Sequence, residues 1–101
     1  MTSRVIRYTT KPERAEENAA LVRAVFAELA ETTPAGLTYE AYRLEDGVSF
    51  VHVVTVDDAN NPLTGSPAFA AFQKEIGDRV AEGPAAQAAT SLGSYTSSTS
   101  G

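Results

Sequence analysis

Two strand-like runs, Leu37 to Glu45 and Val48 to Val56, stand on either side of Asp46-Gly47, the strongest short-range signal for a β-hairpin. A two-residue turn there pairs Glu45 with Val48, so that Arg43 falls opposite Phe50, Ala41 opposite His52 and Tyr39 opposite Val54. Side chains alternate along a strand, and this register therefore sorts the hairpin into two faces. One face carries Leu37, Tyr39, Ala41, Arg43, Phe50, His52, Val54 and Val56, and the other Thr38, Glu40, Tyr42, Leu44, Ser49, Val51, Val53 and Thr55. Large apolar groups occur on both. An antiparallel sheet with one wet face shows polar alternation on that face, so the second run has to be covered on both sides.

That demand is severe for a chain of 101 residues, which makes one domain with one core. A single layer of helices covers only one sheet face. A second copy of the chain is the simplest cover for the other, which predicts a homodimer.

The flanking segments supply the helices and the outer strands. Arg4 to Thr10 is rich in β-branched and aromatic residues and reads as a strand, with Arg7 and Tyr8 pointing to opposite faces. Parity leaves open which of the two looks into a barrel. Thr10-Lys11-Pro12-Glu13 fits a helix start, with Thr10 as N-cap, Pro12 in the first turn and Glu13 completing a capping box. The helix carries an apolar stripe of Ala15, Ala19, Val22, Phe26 and Leu29, with Glu16, Glu17, Arg23, Glu28 and Glu31 as a solvated face, and stops at Thr32 to Gly36.

Beyond the hairpin, Asp57 to Gly65 is a polar loop, and Ser66-Pro67 opens a second helix with serine as N-cap. Its stripe is Phe69, Phe72, Ile76 and Val80, with Lys74, Glu75, Asp78 and Arg79 mostly outside it, and Gly83-Pro84 ends it. Thr90 to Tyr95 serves as a final strand, closing a domain of residues 1–95, and Thr96 to Gly101 is a flexible serine, threonine and glycine tail. The order β-α-β-β-α-β is a ferredoxin-like α+β fold with both helices on one face of an antiparallel sheet. Two such sheets packed face to face form a dimeric α+β barrel.

Composition removes whole classes of function. With no cysteine there are no disulfides, thiolate nucleophiles, zinc–thiolate sites or iron–sulfur clusters. A formal charge of -5 argues against a nucleic-acid surface. No window approaches the ~20 apolar residues of a transmembrane helix, and Met1 to Val5 leads straight into patterned sequence, so the expected compartment is the cytoplasm. Asp57-Asp58-Ala59-Asn60-Asn61 offers hard oxygen ligands but lacks the spacing of a calcium loop, and no metal is expected.

The runs Val5 to Pro12, Gly36 to Arg43, Phe50 to Val54 and Ser66-Pro67-Ala68-Phe69-Ala70-Ala71-Phe72 together resemble the antibiotic biosynthesis monooxygenase family, over about residues 4 to 95. The resemblance implies a dimeric α+β barrel and cofactor-independent oxygenation of a small aromatic or polyketide-like molecule in the barrel cavity. Characterised members use a tryptophan near the end of strand 3 and an asparagine on strand 1, often with a histidine on helix 2. This chain has no tryptophan, no asparagine on strand 1 and no histidine on helix 2, so none of those residues carries over. No cofactor is expected.

What the chain does have is His52, its only histidine and the one side chain suited to proton transfer near neutral pH. Its predicted face also holds Tyr39, Arg43 and Phe50, and the resemblance turns that face away from the helices. A ligand pocket there would use His52 as base, Tyr39 as hydrogen-bond donor and Arg43 to steady negative charge. If Arg7 rather than Tyr8 joins it, a second guanidinium favours an anionic ligand. The competing reading has His52 hydrogen-bonded within a dimer core and Arg43 paired with a glutamate. On that reading the protein is a ligand-binding or stress-associated dimeric barrel without turnover.

Overall fold

Every strand of the sheet pairs antiparallel with its neighbours. The computed structural model describes residues 2–57, 61–95 and 97. Its elements are β1 (Thr2–Thr10), α1 (Ala15–Thr32), β2 (Leu37–Arg43), β3 (Ser49–Val56), α2 (Pro67–Gln73), α3 (Ile76–Arg79) and β4 (Val80–Ala89), with 3-10 turns at Pro12–Arg14 and Pro62–Gly65. The strands lie in the order β2-β3-β1-β4, which is the ferredoxin-like α+β arrangement. No helix among the described residues is long and apolar enough to cross a membrane. The expected Thr96–Gly101 tail, Ser97 apart, and the Asp58–Asn60 part of the acidic loop lie outside the described residues.

The hairpin register holds: Tyr39 pairs with Val54, Ala41 with His52 and Arg43 with Phe50. Its turn sits one residue earlier than Asp46-Gly47 implies. Gly47 N–H donates to Leu44 O at 3.0 Å with Gly47 at φ +79°, and the Glu45–Val48 pair does not form. Asp46 organises the turn, its carboxylate accepting from Val48 N, Ser49 N and Ser49 Oγ at 3.0, 2.8 and 2.6 Å.

Helix α1 forms along the expected stripe, and Ala15, Ala19, Val22 and Val25 are buried. It ends on Thr33, left-handed at φ 42°, whose N–H donates to Leu29 O. Its beginning differs from expectation. Thr10 is the last residue of β1, and its hydroxyl donates to Val48 O rather than capping a helix. Glu28 also departs from the solvated face assigned to it: its carboxylate accepts from Ser66 Oγ and, at 3.4 Å, from Ala68 N, tying α1 to the start of α2. Ser66 is the N-cap, accepting from Phe69 N at 3.0 Å.

The expected second helix is broken. After Gln73 the chain leaves the helix, Glu75 is left-handed at φ 60°, one short turn follows as α3, and Val80 already begins β4. Strand β4 pairs along β1 from Thr10↔Val80 to Ser3↔Ala89, so Thr90 to Tyr95, expected as the last strand, lies beyond the sheet. As an edge strand β4 tolerates Pro84, whose missing N–H would break a central one. At Gly83, φ +89°, an added Cβ would lie 2.9 Å from Arg7 O, so only glycine lets β4 bend past β1 there.

The core lies between the sheet and the helices: Tyr8 and Phe50 pack with Ala19, Val22 and Val25 of α1 and Phe72 of α2. The face carrying Tyr39, Ala41, Phe50 and His52 is therefore the helix-covered one, the reverse of the orientation expected from the resemblance. Both faces are apolar enough to be buried, and the α1 stripe settles which one the helices take. The opposite face presents Val5, Arg7, Val51, Val53, Glu40 and Tyr42, none of them buried within the chain.

Candidate functional site

Register places the polar side chains of the core. On β3, the central His52 is directly opposite Ile6 of β1 and Ala41 of β2. Tyr8 is opposite Phe50 and Tyr39 opposite Val54, so each tyrosine stands diagonal to His52, one on either side. That spacing is within reach of long aromatic side chains. Tyr8 Oη lies 2.8 Å from His52 Nε2, and Tyr39 Oη lies 2.7 Å from His52 Nδ1. Both ring nitrogens are thus bonded to phenols of neighbouring strands.

The network continues into the helices. Asn18 Nδ2 of α1 donates to Tyr8 Oη at 2.9 Å, and Arg79 Nε of α3 donates to Asn18 Oδ1 at 3.2 Å. Arg79 is only 1% exposed, and among the described residues its hydrogen bonds go to an amide and to carbonyls rather than to a carboxylate. It donates instead to Lys74 O at 3.0 Å and to Phe72 O, carbonyls at the C-terminal end of α2, where the helix dipole favours a cation. Its guanidinium also lies 5.5 Å from the centre of the Phe72 ring.

Rings close the cluster against water. Phe72 stacks on His52 at 5.3 Å and Phe50 on Tyr8 at 5.4 Å, while Phe26 meets Tyr39 edge-on at 5.0 Å. Burial sets the charge states accordingly. His52 is pushed down to about 4 because its cation would be desolvated, and it is neutral at pH 7. Burial pushes the Tyr8 phenol up to about 12 against the opposing influence of Asn18 and Arg79. Tyr39 is raised further, by burial and by Tyr8. Both phenols stay protonated.

Of the residues singled out from sequence, Tyr39, Phe50 and His52 come together on the helix side. Arg43 is at the edge of the same face, but its groups are engaged: Nη1 pairs with Glu16 at 2.9 Å, Nε donates to Gly47 O at 2.8 Å, and its guanidinium lies 5.8 Å from the Phe50 ring centre. Arg7 does not join them. It is exposed on the other side of the sheet, beside Glu82 and Gly83.

Sequence reasoning missed Tyr8, Asn18 and Arg79. Asn18 left a signal, because it is a polar residue within the Ala15, Ala19, Val22 stripe of α1. Arg79 left none. The helix-period reading put it outside the apolar stripe, and only the break at Lys74-Glu75 turns it inward.

Two clefts open where α1 meets the hairpin. One, of about 290 Å³, is walled by Phe26, Leu29, Ala30, Pro34, Leu37 and Tyr39 together with Thr33. The other, of about 190 Å³, lies between α1 and Ala41, Arg43 and Phe50. Phe26 belongs to both. His52 reaches neither, and Tyr39 is the member of the network that lines one of these two clefts.

No family model and no curated protein matches the chain. Solved structures do. An antibiotic biosynthesis monooxygenase matches with a TM-score of 0.71 and 16% identity over 92% of this chain and 100% of that one. A protein from Mycobacterium tuberculosis matches with a TM-score of 0.67 and 20% identity, over 94% and 98% of the two chains. A Nitrosomonas europaea protein of unknown function gives 0.71 and 16%, over 97% and 95%. At these identities the likeness is one of fold, extending over nearly the whole of both chains.

Proposed function

We propose that this chain is a cofactor-independent, monooxygenase-like protein that works as a homodimeric barrel and takes a small aromatic or polyketide-like molecule into the cleft between α1 and β2. The observation that carries this reading is the place of Tyr39. Its hydroxyl bonds to the buried His52, while its ring walls an apolar cleft together with Phe26 and Leu29. A flat apolar ligand with one oxygen suits that lining.

The chemistry balances without a bound group. An activated CH2 of an anthrone-type molecule and one dioxygen give C=O and water, with four electrons leaving carbon and four taken up by oxygen. In such a reaction the protein orients the ligand and stabilises negative charge on its oxygen as the enolate forms, the CH2 proton passing to solvent at the open mouth of the cleft. Tyr39 supplies that last contact. His52 acts through Tyr39, since its own nitrogens are occupied and burial makes it a weak base. Arg43, Phe50 and Phe26 line the adjoining cleft, and Arg7 lies on the open sheet face that the second copy would cover.

A second copy covers the open sheet face. Val5, Val51 and Val53 form a half-buried apolar row there, and the Thr90–Ser94 segment beside it walls a space of about 470 Å³ with Val53, Thr55 and Glu40.

The second reading, a dimeric barrel that binds its ligand without turnover, is favoured by one observation: the network that reaches the cleft holds no free base. Oxygen uptake with anthrones and quinols separates the two. Turnover that falls about a hundredfold in kcat/KM in Tyr39→Phe supports the first reading, and binding with no uptake supports the second. Turnover indifferent to Tyr39→Phe removes this cleft from the chemistry.

A further inference from the structure

We infer that Asn18, oriented by Arg79, sets the direction of the hydrogen-bond chain through Tyr8, His52 and Tyr39, so that Tyr39 offers its proton outward and the cleft selects a ligand with an acceptor oxygen, an enolate, phenolate or carbonyl. The ligand half of this inference rests on reading the α1–β2 cleft as a binding site. The direction of the chain does not.

The direction follows from counting protons. A guanidinium only donates, so the atom of Asn18 that faces Arg79 Nε at 3.2 Å is its oxygen. Reversing the amide would set two donors against each other. The Asn18 nitrogen therefore points at Tyr8, and Tyr8 Oη receives a hydrogen at 2.9 Å. The proton of Tyr8 itself has one acceptor in reach among the described residues, His52 Nε2 at 2.8 Å.

A neutral imidazole accepts at one nitrogen and donates at the other. With Nε2 accepting, Nδ1 carries the hydrogen and donates to Tyr39 Oη at 2.7 Å. The hydroxyl proton of Tyr39 is then left over, and no bond among the described residues takes it up. Tyr39 lines the cleft, where a ligand or water can accept.

The opposite direction strands a proton in the wrong place. If Nε2 carried the hydrogen, Tyr8 would accept twice and its own proton would have no partner, at a residue 4% exposed. An unsatisfied buried donor is costly, and the outward direction is favoured by about tenfold or more. Asn18 is in this sense a positioning residue: it acts on the ligand through three other side chains.

His52 is the only histidine of the chain, so its ring nitrogens give an unambiguous long-range proton–nitrogen NMR spectrum. At pH 7 the full-length protein is expected to show a protonated Nδ1 and a bare Nε2. Asn18→Asp keeps the shape but makes the group an acceptor on both sides. Tyr8 then donates to residue 18, His52 donates to Tyr8 from Nε2, and Tyr39 turns its proton inward, so the proton signal moves to Nε2. A wild-type ring protonated at Nε2, or a spectrum unchanged in Asn18→Asp, overturns the inference. The wild-type spectrum decides alone if that variant does not fold.

The ligand half is read with 4-nitrophenolate, whose absorbance reports binding and ionisation. Binding weakened about tenfold in both Tyr39→Phe and Asn18→Asp supports an acceptor-oxygen ligand. An Nδ1-protonated ring with no binding of the dye overturns the ligand reading of the cleft and leaves the direction standing. An Nε2-protonated ring overturns the direction whatever the dye does.

Discussion

On the helix side of the sheet Tyr8, Phe50 and His52 are 4%, 3% and 2% exposed, while Val5, Val51 and Val53 on the other side stay half-buried despite comparable apolar character. The chain closes the first face with its own α1 and α2 and leaves the second to be closed by something else. All the polar chemistry of the core lies on the self-closed face. Binding at the proposed α1–β2 site should therefore be complete within one copy, and the proposed dimer should matter to it through stability.

The sharpest way to break this contrast is to open the closed face. Phe72→Ala removes the ring that packs on His52 and the core of α2, and should cost about 3 to 5 kcal/mol in urea unfolding. A loss below about 1 kcal/mol would mean this side is not the core.

Next in size is acid. His52 has a folded value of about 4 against 6.5 in the unfolded chain, so the unfolded state takes up the proton first. Its contribution is fully present above pH 6.5 and is lost as pH falls toward 4, with a ceiling of about 3 kcal/mol. Subtracting the pH profile of His52→Gln isolates this from the carboxylates. A difference that stays flat between pH 6.5 and 4 would show that His52 is not buried neutral.

The open face should respond differently. Val53→Asp puts a charge on the proposed interface, and sedimentation should show the mass halving at micromolar concentration while far-UV dichroism and the His52 ring signals stay native. Loss of fold instead of loss of pairing would mean that the two faces are not separable. Smallest is Glu16→Gln, which breaks the exposed pair with Arg43 and should leave both stability and binding unmoved.

Much of this contrast was legible in the residues, though its orientation was not. The period of two, anchored by Asp46-Gly47, sorted Tyr39, Ala41, Phe50 and His52 onto one face, and slipping the turn by one position left that register intact. Ser66-Pro67 marked its helix start because a cap needs only local atoms. Which face the helices cover is a different matter. Alternation is symmetric, both faces are apolar, and nothing local distinguishes them.

The same limit hid the end of α2. Phe69, Phe72, Ile76 and Val80 fit a helical period, yet Val80 pairs with Thr10 across the sheet, and that pairing is a property of β1 rather than of residues 69–80. Once the break at Lys74-Glu75 exists, Arg79 swings inward to the α2 carbonyls and reaches Asn18.

By itself, then, the sequence determined the strand pairing of the hairpin, the two-sided apolar character of β3, the capped start of α2 and the company His52 keeps on its own face. These depend on neighbours a few residues apart and on the alternation of a strand. Only the tertiary structure decided that this face lies under the helices, that Tyr8 and Tyr39 flank His52 on both sides, and that Asn18 and Arg79 complete the chain. Those contacts join residues 10 to 61 positions apart in sequence, and they exist because packing one apolar stripe against one of two eligible faces brings their donors and acceptors within bonding distance.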